Sequence, residues 1–237
     1  MEMMIGIFLS TILMTGIVQL LSGSAAAYQL QLSQGQMEES GRYARDVLTT
    51  HISQAGFRPE PWLNSSILPA VTAEAVDRGK LPGDQLGLQR FSDRNCYGSE
   101  NPVTDDDGQP LFYILQTRFR VNASNNLALT CRYGPDVNSL KTQVRNHGLV
   151  EDVESMQVLY AEDRNGDGFP DRWVPAQTWK HEHTIRAVKV ALLLSTKQPF
   201  DEAVSTRITL LDQSVTPAAD GRLRKTISLV TAIRGRL

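Results

Sequence analysis

MEMMIGIFLSTILMTGIVQLLSGSAAAYQLQLSQGQMEESGRYARDVLTTHISQA, residues 1–55, carries a single charge, Glu2, before Glu38, and the chain has no proline before Pro59. Met3 to Leu21 holds nothing more polar than Ser10, Thr11, Thr15 and Gln19. About 20 such residues span a bilayer as a helix. Beyond them the pattern changes without a break. Met37, Gly41, Ala44, Leu48, Ile52 and Ala55 recur at intervals of three and four, with Val47 beside them, while Arg42, Arg45, Asp46 and Gln54 fall mostly off the stripe. That is the period of an amphipathic helix. Gly56 is a helix stop, and Pro59 and Pro61 forbid continuation. The expectation is one rod of roughly 80 Å at about 1.5 Å per residue. Its first half (1–27) belongs in lipid or a protein core, and its second half (28–56) faces water on one side only. A globular part (57–237) follows.

Three roles compete for the apolar half. Ser24-Ala25-Ala26-Ala27 offers a cleavage site for a secretory signal, but an acid stands where such a signal has a basic region. A plain single-span anchor has no use for Glu2. An assembly helix does, because a carboxylate in an apolar setting is costly until it finds a partner.

The order Glu2-Met3-Met4-Ile5-Gly6-Ile7 followed by an apolar helix resembles the start of type IV pilins and type II pseudopilins. In that family a Gly-Phe-x-x-x-Glu context precedes the helix, and a peptidase cuts after the glycine and methylates the new terminus. Glu2 matches the family's glutamate. The glycine, the phenylalanine and the basic leader do not stand in this sequence, which has one residue ahead of Glu2. Later stretches are similar to PilW minor pilins: 149–160 (LVEDVESMQVLY), 172–175 (RWVP), 188–195 (VKVALLLS), and 221–226 (GRLRKT) through Ile233-Arg234. That family usually has Asn next; this chain has Gly235.

The resemblance implies a pilin fold and a non-enzymatic role in pilus assembly. The helix is then expected in the bacterial inner membrane with the domain in the periplasm. On assembly it moves into a filament core, where Glu2 pairs with a neighbour's N-terminal ammonium. It further implies as partners the major pilin, other minor pilins of a priming tip complex, and an adhesin-like tip protein. The alternatives are a type II secretion pseudopilin and a monomeric anchored or secreted calcium-binding module.

Composition narrows the field. A net charge of −2 and scattered Lys and Arg leave no basic field for nucleic acid. There is no G-x-S-x-G, no phosphate loop and no dinucleotide fingerprint. Cys96 and Cys131 are the only cysteines, either a disulfide of an exported protein or two unrelated buried thiols.

Residues 57–110 look loop-rich, and Asp105-Asp106-Asp107-Gly108 is a solvated turn. From 111 onward, strands are expected at 111–121, 127–133, 153–160, 185–195 (the most apolar, hence central) and 224–234. Short turns and no intervening helices indicate an antiparallel sheet, covered by the stripe from Met37 to Ala55. The fold class is α+β.

One loop carries chemistry. Asp163-Arg164-Asn165-Gly166-Asp167-Gly168-Phe169-Pro170-Asp171 reads D-x-N-x-D-G-x-x-D. Alternating oxygen donors and a glycine at the sixth position suit Ca²⁺, which takes six to eight oxygens. Asp163, Asn165 and Asp167 would give side-chain oxygens, Phe169 its carbonyl, and Asp171 a direct or water-mediated contact. Position 12 is Val174, so the bidentate glutamate of a full EF-hand is absent. The competing reading is an Asx-rich hairpin without metal. His181-Glu182-His183 lacks a third ligand for a metal role.

Overall fold

A computed structural model describes residues 2–59, 68–79, 81–200 and 206–235. One helix, α1 (Glu2–Gln54), runs unbroken through both halves of the opening stretch. Gly56, with φ 75°, turns the chain away at its end. Pro61 and Trp62 lie outside the described residues.

Ten strands follow among the described residues: β1 (Gln85–Ser92), β2 (Tyr113–Val121), β3 (Leu127–Gly134), β4 (Lys141–Val150), β5 (Val153–Glu162), β6 (Arg172–Val174), β7 (Ile185–Pro199), β8 (Ile208–Leu210), β9 (Gln213–Val215) and β10 (Arg222–Ala232). They do not form the single sheet expected from the sequence. One sheet has the order β1-β2-β3-β4, a second β10-β7-β5-β6, and β8-β9 is a separate hairpin. All named pairings are antiparallel. β7, the most apolar strand, is central, between β10 and β5.

β1, β4, β6, β8 and β9 are additions to the five expected strands; β1 and β4 are the long ones. β1 (QLGLQRFS) carries Gly87 at its centre and follows turn residues, so its alternation is short. β4 (KTQVRNHGLV) is a mostly exposed edge strand with register shifts and Asn146 at φ 50°. Charged side chains and bulges blunt such edges against stray pairing, and they also erase the apolar period.

The core joins both sheets to the helix. Ala44, Leu48 and Ile52 are fully buried against Leu86, Phe119, Met156, Tyr160, Leu192 and Ile227, among others. Each buried Leu or Ile contributes about 1.5–3 kcal/mol by removal from water. The helix lies mainly on β10 and β7. Lys225 of β10 pairs with Glu38 of the helix. Arg224 bonds Glu154 at 2.8 Å and Asp220 at 2.9 Å, tying β10 to β5 across the central strand.

Cys96 and Cys131 form a disulfide with Cα atoms 5.9 Å apart, which fastens the 93–112 loop to β3. The tip of that loop folds as expected, with Asp105 Oδ1 accepting from the amides of Asp107 and Gln109.

Candidate assembly helix and Asp-rich loop

The two halves of α1 meet different surroundings. The most apolar 18-residue window has a mean hydropathy of 2.1 and none of it is buried. Met3, Phe8 and Leu13 are 86%, 67% and 68% exposed. Glu2 opens the helix; its side chain lies outside the described residues.

The Asp-rich loop joins β5 to β6, with Asp163 directly after β5 and Asp171 directly before β6. It is closed by its own side chains. Asp163 Oδ1 accepts from Gly166 N at 2.7 Å, and Oδ2 accepts from Gly168 N at 3.0 Å. Gly168 holds φ 91°, a region that strains any residue with a Cβ. Asn165 Oδ1 accepts from Asp167 N, Asp167 Oδ1 from Phe169 N, and Asp171 Oδ2 from Arg164 N.

Arg186, near the start of β7, adds its guanidinium to Asp163 Oδ2 through Nε at 2.9 Å and a terminal nitrogen at 2.8 Å. The Asp163 side chain is fully buried. Burial pushes its carboxyl up, and Arg186 with the two glycine amides outweighs that and holds it below the usual carboxylate range. A carboxylate oxygen has about two acceptor positions. Oδ2 is filled by Gly168 N and Arg186, while Oδ1 accepts only from Gly166 N among the described residues.

Among the described residues no three His, Cys, Asp or Glu side chains converge as a metal cluster. Phe169, 73% exposed, points away from the core. Next to Asp163, Glu162 is also fully buried, paired with Arg172 and accepting from Lys180 N. His181-Glu182-His183 enters a short 3-10 turn, Glu182–Thr184, with His181 at its N-terminal boundary. Arg186 was missed in the sequence; its signal was a cation placed early in the most apolar strand.

The family model described as PilW, type IV pilus-assembly protein W, matches residues 112–235, more than half of the chain. The chain belongs to this family. The matched PilW region takes in β2 to β7 and β10, the Asp-rich loop and Arg224. The structure is also similar to the type IV-like pilin TTHA1219 from Thermus thermophilus, with a TM-score of 0.48 and 17% identity over 87% of this chain and 98% of that one. No curated protein matches the chain. As a PilW protein with a long N-terminal helix on antiparallel sheets, it has the α+β pilin fold, and its apolar half-helix is compatible with membrane anchoring.

Proposed function

We propose that this PilW protein is a minor pilin of the priming complex at a type IV pilus tip. The observation that carries the proposal is the helix. Its first half exposes a continuous apolar surface against which nothing among the described residues packs. Only lipid or other apolar helices cover such a surface without cost. Before assembly the half-helix spans the inner membrane with the domain in the periplasm. On assembly it enters the filament core among major and minor pilin helices, beneath an adhesin-like tip protein. Glu2 then pairs with a neighbour's terminal ammonium. Such a pair adds little net stability but penalises misregister, since an unpaired charge in that setting is costly.

Glu2→Ala tests this. The domain is expected to melt as the wild type does, while surface pili fall to the level of a strain lacking the protein. Normal piliation in the variant would refute the reading. Lost secretion with intact pili would assign the chain to a type II secretion system instead.

We propose also that the Asp163–Asp171 loop takes Ca²⁺ as a structural ion, weakly, in competition with Arg186. The donors fit a hard cation in type: Asp163, Asn165, Asp167, Asp171 and the Phe169 carbonyl. Arg186 occupies Oδ2 of Asp163, so an ion that uses this oxygen reaches it only as the guanidinium leaves. Terbium luminescence excited through Trp173, two residues past Asp171, reads the occupancy. Arg186→Gln is expected to tighten binding by about tenfold, the equivalent of one lost charge-assisted hydrogen bond of about 1.4 kcal/mol. A loop that binds no terbium in either form is an Asx-rich hairpin without metal, closed by its own side chains.

A further inference from the structure

At the end of α1 farthest from the exposed apolar half, a cavity of about 470 Å³ opens between the helix terminus and the ends of β1 and β2. Its walls include Gln54, Phe57, Phe112, Arg90, Arg94 and Arg234. Phe57 and Phe112 are each 40% exposed, with ring centroids 6.3 Å apart. They flank the opening as two apolar cheeks.

Arg90 is the unexplained group. It sits on the face of β1 that carries Leu86 and Leu88, opposite Leu115 of β2, at the point where the core gives way to the cavity. Its Nε is buried without a partner. Its terminal nitrogens have no partner among the described residues either, and they are not buried. Burial pulls its pKa down, and only the charge of Asp93 acts in the other direction.

The remaining ionisable neighbours do not neutralise it. His51, on the helix side, is held uncharged by burial and by Arg90 itself. Arg94 is engaged with Glu100 at 2.6 Å. Arg234 lines the same cavity and adds a further positive charge. A buried donor with no acceptor costs the fold free energy. Such a group in a native chain asks for a missing anion.

We propose that this cavity is a docking site for a carboxylate carried on an apolar segment of another subunit of the assembly, with Arg90 receiving the charge and Phe57 and Phe112 the apolar body. Charge favours this occupant: three arginines and one aspartate, Asp93, line the cavity, and with Arg94 paired to Glu100 a net positive charge remains. Position agrees with it. The site lies at the pole away from the anchored half of the helix, where a subunit stacked toward the tip would sit. That last step rests on the assembly reading above, whereas the binding chemistry does not.

Gly235 forms part of the wall because a Cβ there would meet Ala55 O at 2.5 Å and Phe57 N at 2.6 Å. The close approach lets the last strand's exit seal one side of the cavity, with Gly235 N bonded to Ser53 O at 3.0 Å.

The test uses the full chain in detergent micelles, labelled with ¹⁵N at arginine, and follows the Arg90 Nε–Hε resonance, assigned by its loss in Arg90→Gln. The probes are N-acetyl-phenylalaninate and its neutral amide at constant ionic strength. The expected result is a saturable shift with the acid and none with the amide, and at least tenfold weaker acid binding in Arg90→Gln by saturation transfer. Equal shifts with acid and amide, or no shift into the tens of millimolar, would overturn the proposal. Thermal unfolding separates a docking role from a structural one. Arg90→Gln is expected to melt at or above the wild-type temperature, because it removes an unpaired half-buried charge. A fall of several degrees would make Arg90 a structural residue and also overturn the proposal. Because binding is read on the isolated subunit, its failure leaves the Glu2 prediction standing, and failure of the Glu2 prediction leaves this one standing.

Discussion

The two halves of α1 are one helix in two solvents. Leu48 and Leu13 have the same side chain and the same backbone, yet Leu48 is fully buried and Leu13 is 68% exposed. Helix propensity does not separate them. What differs is whether the rest of the chain supplies a cover. The second half repeats its apolar positions every three or four residues because only one side meets the sheets, while the first half is apolar all round because every side must meet something apolar. A helix that is apolar all round, with none of its apolar window buried among the described residues, has a surface still to be covered.

The sharpest way to break this contrast is to make the same substitution in both halves. Leu48→Ala is expected to destabilise the domain by about 2–5 kcal/mol, as for other fully buried leucines. Leu13→Ala is expected to leave the domain's unfolding midpoint unchanged. Equal effects at both sites would mean that the first half also packs on the domain.

The disulfide offers a second, smaller contrast. It closes the loop between Cys96 and Cys131 at a corner of the first sheet, away from the apolar half. Replacing both cysteines by serine is expected to cost about 4 kcal/mol, the entropy of an opened loop of this size. The comparison is sharpened if denaturant titration shows that loss in the domain while membrane retention of the helix is unaltered.

The contrast between the helix halves was legible because it is local: a charge-free run followed by period 3.6 needs no partner to be seen. So were β2, β3, β5, β7 and β10, whose alternation or apolarity reports burial directly. The split into two sheets was not legible. It depends on which strand pairs with which, and Gly87 and the exposed residues of β4 hid two of the eight strands that build them. The Asp-rich loop was visible as a motif, but its chemistry was not. Whether Asp163 faces an ion or a guanidinium is decided by Arg186, 23 residues away on another strand. Arg90 had no signal at all, since an unpaired cation looks like any other arginine until its surroundings are known.

The least conspicuous contrast lies within the buried part and is expected to cancel in the wild type. His51, on the covered half of α1, has its pKa lowered to about 4 by burial and by the charge of Arg90. The unfolded chain therefore takes up a proton first, and stability is lost as pH falls from about 6.5 toward 4. Asp84 has its pKa raised to about 6 by burial, against the amides of Arg78 and Val158 that hydrogen-bond it, and with the charges of Asp77 and Asp212 adding to the rise. Here the folded state takes up the proton first, so stability is gained as pH falls from about 6 toward 4. Each shift corresponds to on the order of 2–3 kcal/mol at full strength. The signs oppose and the windows overlap, so the wild-type unfolding free energy is expected to be nearly flat from pH 6 to 4. Single substitutions unmask the two arms. His51→Gln should become more stable on acidification through that window, and Asp84→Asn less stable, whatever offset each introduces at pH 7. Urea titrations at half-unit pH steps read the slopes. A wild-type profile that falls steeply while Asp84→Asn is flat would reverse the assignment and place the acid sensitivity at Asp84.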